Sequence, residues 1–130
     1  MGQVVRNIGN ITTDTVLTVA WEKTRDGNWY TFDPQNIDCV NGSGVCIVWH
    51  EGETPATVCV GHGDLAQCLY EFYENRAVSM YRKLGPMRFT WTEMSTVLQR
   101  GVARYLSEQL KPAFEDTATL VKSIPVNLPA

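Results

Sequence analysis

Hydrophobic positions repeat with a period of two in the first half of this chain and mostly with a helical period in the second. Leu17, Val19 and Trp21 share one side of "TVLTVAW" (15–21), which predicts a half-buried strand. Asp26-Gly27 in "KTRDGN" is a hairpin signal, and "WYTF" (29–32) predicts the returning strand. "NGSG" (41–44) reads as a loop, "VCIVWH" (45–50) as a continuous apolar strand, "EGETPA" as a turn, and "TVCV" (57–60) as the antiparallel partner.

Gly61 and Gly63 then read as a hinge into a helix, because glycine reaches backbone angles other residues avoid. Asp64 with Gln67 is an N-cap signature. Leu65, Cys68, Leu69, Phe72 and Tyr73 follow at helical spacing, so a helix is predicted near 64–75. A short second helix, roughly 77–84, ends at Gly85-Pro86. "MRFTWTE" (87–93) predicts a strand with Met87, Phe89 and Trp91 inward and Arg88, Thr90 and Thr92 outward. Thr96 with Gln99 opens a last helix near 96–110. Its stripe is Leu98, Val102, Tyr105, Leu106 and Leu110, and Lys111-Pro112 stops it. An extended tail, "SIPVNLPA", follows.

The fold class expected is therefore α+β: a small, mainly antiparallel sheet in β-β-α-α-β-α order, an added N-terminal hairpin (1–43), helices packed on the sheet over 44–115, and a tail over 116–130. With 130 residues and 44% hydrophobic content, the chain can bury a core without staples. No apolar run approaches the roughly 20 residues of a membrane span, and no signal peptide is evident, so a cytoplasmic protein is expected. Cys39, Cys46, Cys59 and Cys68 are then reduced thiols, the sequons at Asn10 and Asn41 carry no meaning, and no cofactor is implied.

The net charge of −3 hides an asymmetry. Residues 76–111 hold Arg76, Arg82, Lys83, Arg88, Arg100, Arg104 and Lys111 against Glu93 and Glu108, so this segment is +5 and the remainder −8. Such a half can be a nucleic-acid or partner-binding face, with Arg100 and Arg104 acting together; it can equally be an ordinary solvated surface.

"GVCIVW" (44–49), followed thirteen residues later by "CVGHGDLAQCL" (59–69), resembles the GIY-YIG nuclease domain over about residues 44–115. That family opens with Gly-Ile-Tyr on one strand and Tyr-Ile-Gly on the next. A helix with Arg-Leu-x-x-His, a third strand and a helix carrying glutamate follow. Gly44 and Gly61 match the family glycines. Its two tyrosines fall on Cys46 and Cys59, its arginine on Cys68, its histidine on Phe72, its metal-binding glutamate on Ala103 and its asparagine on Glu115. The resemblance implies the scaffold without the chemistry, since alanine ligates nothing and thiols suit hard Mg²⁺ poorly. It also implies that Cys46, Cys59 and Cys68 converge, with His62 beside them. Three functions follow as expectations. One is a non-catalytic domain that binds nucleic acid or a protein through 76–111. Another is a thiol cluster of Cys46, Cys59, Cys68 and His62 that binds a soft metal or senses oxidation, against which stands plain burial of small hydrophobic side chains. A third is an interaction protein using an exposed edge of the hairpin.

Of the other polar and aromatic positions, Gly61-x-Gly63 reads as a tight turn before it reads as a phosphate cradle, and His50 as a solvated strand end. Trp21, Trp29, Trp49 and Trp91 are read as mostly core.

Overall fold

The computed structural model describes residues 16–114 and 121–130. Glu115, the sequon at Asn10 and the first residue of the 15–21 segment lie outside them. Strand β1 (Tyr30–Thr31) leads to a one-turn helix α1 (Pro34–Ile37), then to strands β2 (Ser43–His50) and β3 (Ala56–Asp64). Helix α2 (Leu65–Glu74), helix α3 (Arg76–Ser79) and a 3-10 turn (Met80–Lys83) precede β4 (Met87–Glu93) and the long helix α4 (Thr96–Leu110). The strands form one antiparallel sheet in the order β1-β4-β2-β3. The α+β class, the pairing of 45–50 with 57–60 and a strand at 87–93 in the same sheet are as the hydrophobic pattern predicts; that 87–93 pairs directly with 45–50 is read from the structure.

The sheet is covered on both faces. Cys46 and Val48 of β2 join Phe89 and Trp91 of β4 in a core under α2, together with Leu65 and Leu69. Val45 and Ile47 point the other way and meet Val102, Ala103 and Leu106 of α4. Alternation along a pleated strand makes this division. Double coverage corrects one expectation: Thr90 and Thr92 point away from Phe89 yet are buried, at 0% and 6% exposure. Thr90 Oγ1 satisfies itself by donating to the Glu22 carbonyl, 2.8 Å away.

The N-terminal region departs most from its reading. The Asp-Gly turn forms, with Gly27 at φ 82° and its N–H bonded to the Thr24 carbonyl, but no hairpin joins 16–21 to 29–32. Leu17 instead bridges Val126 in parallel. Asn127 clamps this contact: Val19 N–H donates to its Oδ1 at 2.7 Å, and its Nδ2 donates to the Val19 carbonyl at 2.9 Å. The Trp21 indole N–H donates to the Asn127 carbonyl at 2.8 Å. A period of two records an extended chain with one wet side, and a docked segment satisfies that as well as a ladder strand does. Asn127→Ala orphans two half-buried backbone groups, so the protein is expected to lose about 2–3 kcal/mol. Calorimetry should read this as a Tm lower by roughly 6–9 °C; an unchanged Tm would mean the tail contributes nothing to closing the α4 face.

Helix ends follow local chemistry. Asp33 caps α1 at the Asn36 N–H with Pro34 at the first position, a start signal the hydrophobic pattern passes over. Asp64 caps α2 at the Gln67 N–H, as predicted. α4 starts after Ser95 and not on a Thr96 cap; Gln99 is buried and its amide ties Ser43 Oγ and the Met94 carbonyl at 2.8 and 3.0 Å. Lys111 ends α4 in the left-handed region at φ 48°.

Candidate functional site

Residues 61–63 are not a hinge. They are the last rungs of β3, with Gly61 opposite Cys46, His62 opposite Val45 and Gly63 opposite Gly44. Strand passes to helix within one residue, at Asp64. Gly61 serves a close approach: a Cβ there would collide with Cys68 Sγ and lie 2.8 Å from the Phe72 ring. Gly44 serves a second one, since a Cβ would strike the Thr92 carbonyl of β4.

The three cysteines do converge. Cys46 and Cys59 lie on the α2 face of the sheet, and Cys68 comes down onto them from α2. Cys46 and Cys59 are buried, and Cys68 is half-buried. A hydrogen bond with the Cys68 thiol, then burial, holds the Cys46 thiol well above its ordinary value. Burial, and secondarily Cys68, pushes Cys59 strongly upward. Thiols that keep their protons this firmly are weak nucleophiles and weak metal ligands at neutral pH. Among the described residues, no group of three or more His, Cys, Asp and Glu is placed to hold a metal ion.

Two residues expected beside the cluster lie elsewhere. His62 shares the face of its cross-strand partner Val45, opposite the cysteines, because side chains alternate along β3. Ala103 packs in the α4-side core with Val45 and Ile47. A general base, a phosphate clamp and a metal ligand must reach one phosphate to act together, and the sheet separates the position of the third from those of the first two. What lies under α2 is a packed apolar core in which the three thiols sit among larger side chains such as Leu65, Leu69, Phe89 and Trp91.

The basic residues do not share a face either. Arg76, Arg82 and Lys83 sit on the α3–3-10 connection, whose Val78 and Tyr81 pack into the α2-side core. Arg88 is on β4, with Nε 3.1 Å from Glu51 Oε1 and Nη1 donating to Thr31 Oγ1. Arg100 and Arg104 belong to α4 on the other side of the sheet. Arg104 is engaged by Glu108 at 3.1 Å and by the Val121 carbonyl at 2.8 Å, so sharing a helix side with Arg100 does not make the two a free pair.

His50 is buried and not a solvated strand end: it stacks on Tyr81, and its Nδ1 accepts from Gly52 N–H. Of the four tryptophans only Trp91 is fully buried; Trp21, Trp29 and Trp49 are half-exposed on the α4 side. Trp29 and Trp49 meet edge to face, 5.5 Å apart, and wall a hollow of about 330 Å³ floored by Ile47 and rimmed by Pro55, Leu110 and Pro129. The sequence pattern counts them as core because strand alternation gives the side a residue faces, not how far the helix on that side reaches across it.

No family model, curated protein or solved structure matches this chain.

Proposed function

We propose that this chain is a non-catalytic binding domain on a GIY-YIG-like scaffold, and that it docks a protein partner with an acidic and apolar face on Arg76–Leu84. The reading narrows the basic 76–111 segment to its first turns. Its main support is the exposure of Met80 (53%) and Leu84 (57%) among the exposed cations Arg76, Arg82 and Lys83. None of these three cations is ion-paired among the described residues; Arg82 instead lies over the Tyr73 ring at 5.4 Å. Met and Arg are enriched at protein interfaces, and an adaptable thioether serves an apolar partner surface. Phosphates gain nothing from exposed Met and Leu, so a protein fits this patch better than a nucleic acid does.

A photo-crosslinking residue at position 80 tests this, with one at the exposed Val97 on α4 as control. Position 80 should capture one discrete polypeptide that position 97 does not. Arg76→Glu with Lys83→Glu should abolish the capture, and excess duplex DNA should leave it intact. Capture displaced by DNA, or DNA binding that falls steeply with salt and is lost in the same variant, would replace the protein partner with a nucleic acid.

A further inference from the structure

We infer that the Trp29–Trp49 hollow is a docking site for an extended, proline-containing peptide, independent of the Arg76–Leu84 patch. The hollow opens where α4 ends at Leu110: the half-exposed indoles of Trp29 and Trp49 wall it, buried Ile47 forms its floor, and Leu128, Pro129 and Ala130 of the tail line it as well. Beyond Trp29 the surface turns polar, with Asn28, Glu51 and Arg88 around a second depression that shares the same indole as its wall. One aromatic ridge thus separates an apolar pocket from a set of hydrogen-bonding groups. That is the requirement for holding alternate side chains and main-chain amides of one extended segment.

The chain itself shows what this surface accepts. Residues 124–129 run extended across the neighbouring stretch of the α4 side, carry Pro125 and Pro129, and bring Leu128 and Pro129 to the rim of the hollow. Their recognition uses an indole: Trp21 Nε1–H donates to the Asn127 carbonyl. Trp49 Nε1–H reaches Glu51 Oε2 at 3.4 Å, whereas Trp29 Nε1–H has no acceptor among the described residues. A half-buried indole donor beside an apolar pocket calls for a carbonyl. Proline-rich segments present carbonyls along a preformed helix with no internal hydrogen bonds, and they lose little entropy on docking. At about 330 Å³ the pocket is near the lower limit for ligand sites, which suits a few residues of peptide and not a folded surface.

The probe is an acetylated, amidated Leu-Pro-Pro-Leu-Pro-Pro peptide, with an analogue carrying alanine for every proline as control. The full chain, labelled with nitrogen-15, shows one indole N–H signal for each of its four tryptophans. Saturable displacement of the Trp29 and Trp49 signals is expected, with the Trp91 signal still and the control peptide at least tenfold weaker. Trp29→Phe keeps a ring and removes the donor, so affinity should fall about fivefold, as for one lost hydrogen bond. Trp49→Ala should abolish saturation. Indole signals that stay in place at millimolar peptide in the wild-type chain, equal binding of the alanine peptide, or undiminished affinity in Trp29→Phe would each overturn the assignment.

Discussion

Gly61→Val should be among the most damaging single changes outside the large apolar core, costing about 3 kcal/mol or more. The new side chain must enter the seam where α2 lies on β3, where a Cβ already collides with Cys68 Sγ and lies 2.8 Å from the Phe72 ring, so the helix must shift to admit it. Overpacking of a tight contact commonly costs about 1–3 kcal/mol, and here several groups are struck at once. Urea unfolding gives the number, and its logic can be checked with smaller steps. Gly61→Ala should destabilise as well, and Cys68→Ala should cost about 1 kcal/mol for its small cavity. Together they should cost less than their sum, because removing Sγ makes room for the new methyl group. Strict additivity would show that the helix is not pinned at this point.

Stability should fall steeply above about pH 9. The Cys46 and Cys59 thiols are held above their ordinary range, chiefly by the Cys46–Cys68 hydrogen bond for the first and by burial for the second. Below the unfolded thiol pKa both states are protonated and the full stability is present. As pH rises past it, the unfolded chain releases protons that the folded chain keeps, so the unfolded state binds fewer protons and the slope is negative. While a thiol stays protonated in the folded chain and not in the unfolded one, it contributes on the order of 1 kcal/mol per pH unit to the fall. The urea midpoint should drop accordingly, and Cys59→Ala should halve the slope. Native-state labelling offers a second reading, with the exposed Cys39 modified first and Cys46 and Cys59 only as the fold opens. A flat profile from pH 8 to 10.5 would contradict the placement of both thiols.

The sheet was legible because its strands are long apolar or alternating runs with strong stops, and α2 and α4 because their stripes are regular. Convergence of Cys46, Cys59 and Cys68 follows from the pairing of β2 with β3, which puts Cys46 and Cys59 on one sheet face, and from Cys68 lying on the apolar stripe of the helix that covers that face. Which face each residue joins was less legible, since that depends on register. Gly61 and His62 are neighbours in sequence, yet register against Cys46 and Val45 sends them to opposite sides of the sheet. Ala103 and the basic residues were misjudged for a related reason. A linear segment such as 76–111 crosses from one layer to the other through β4, so closeness along the chain says nothing about a shared surface. The Trp29–Trp49 hollow could not be read at all, because it is defined by where a helix ends relative to a tail far away in sequence.

That distance also bears on how the molecule is made. The α4-side core is closed by Val126, and the clamp between Val19 and Asn127 spans 108 positions. The α2-side core draws its buried residues from Phe32 through Trp91. During synthesis, at roughly 5–20 residues per second, the α2 face can therefore close seconds before the α4 face has its last pieces. Until then Val45, Ile47 and Val60 have no cover beyond what α4 supplies as it emerges, and joining the two ends carries the entropy of closing the largest loop in the described chain. The nascent protein therefore has one dry face and one wet face until its last residues arrive.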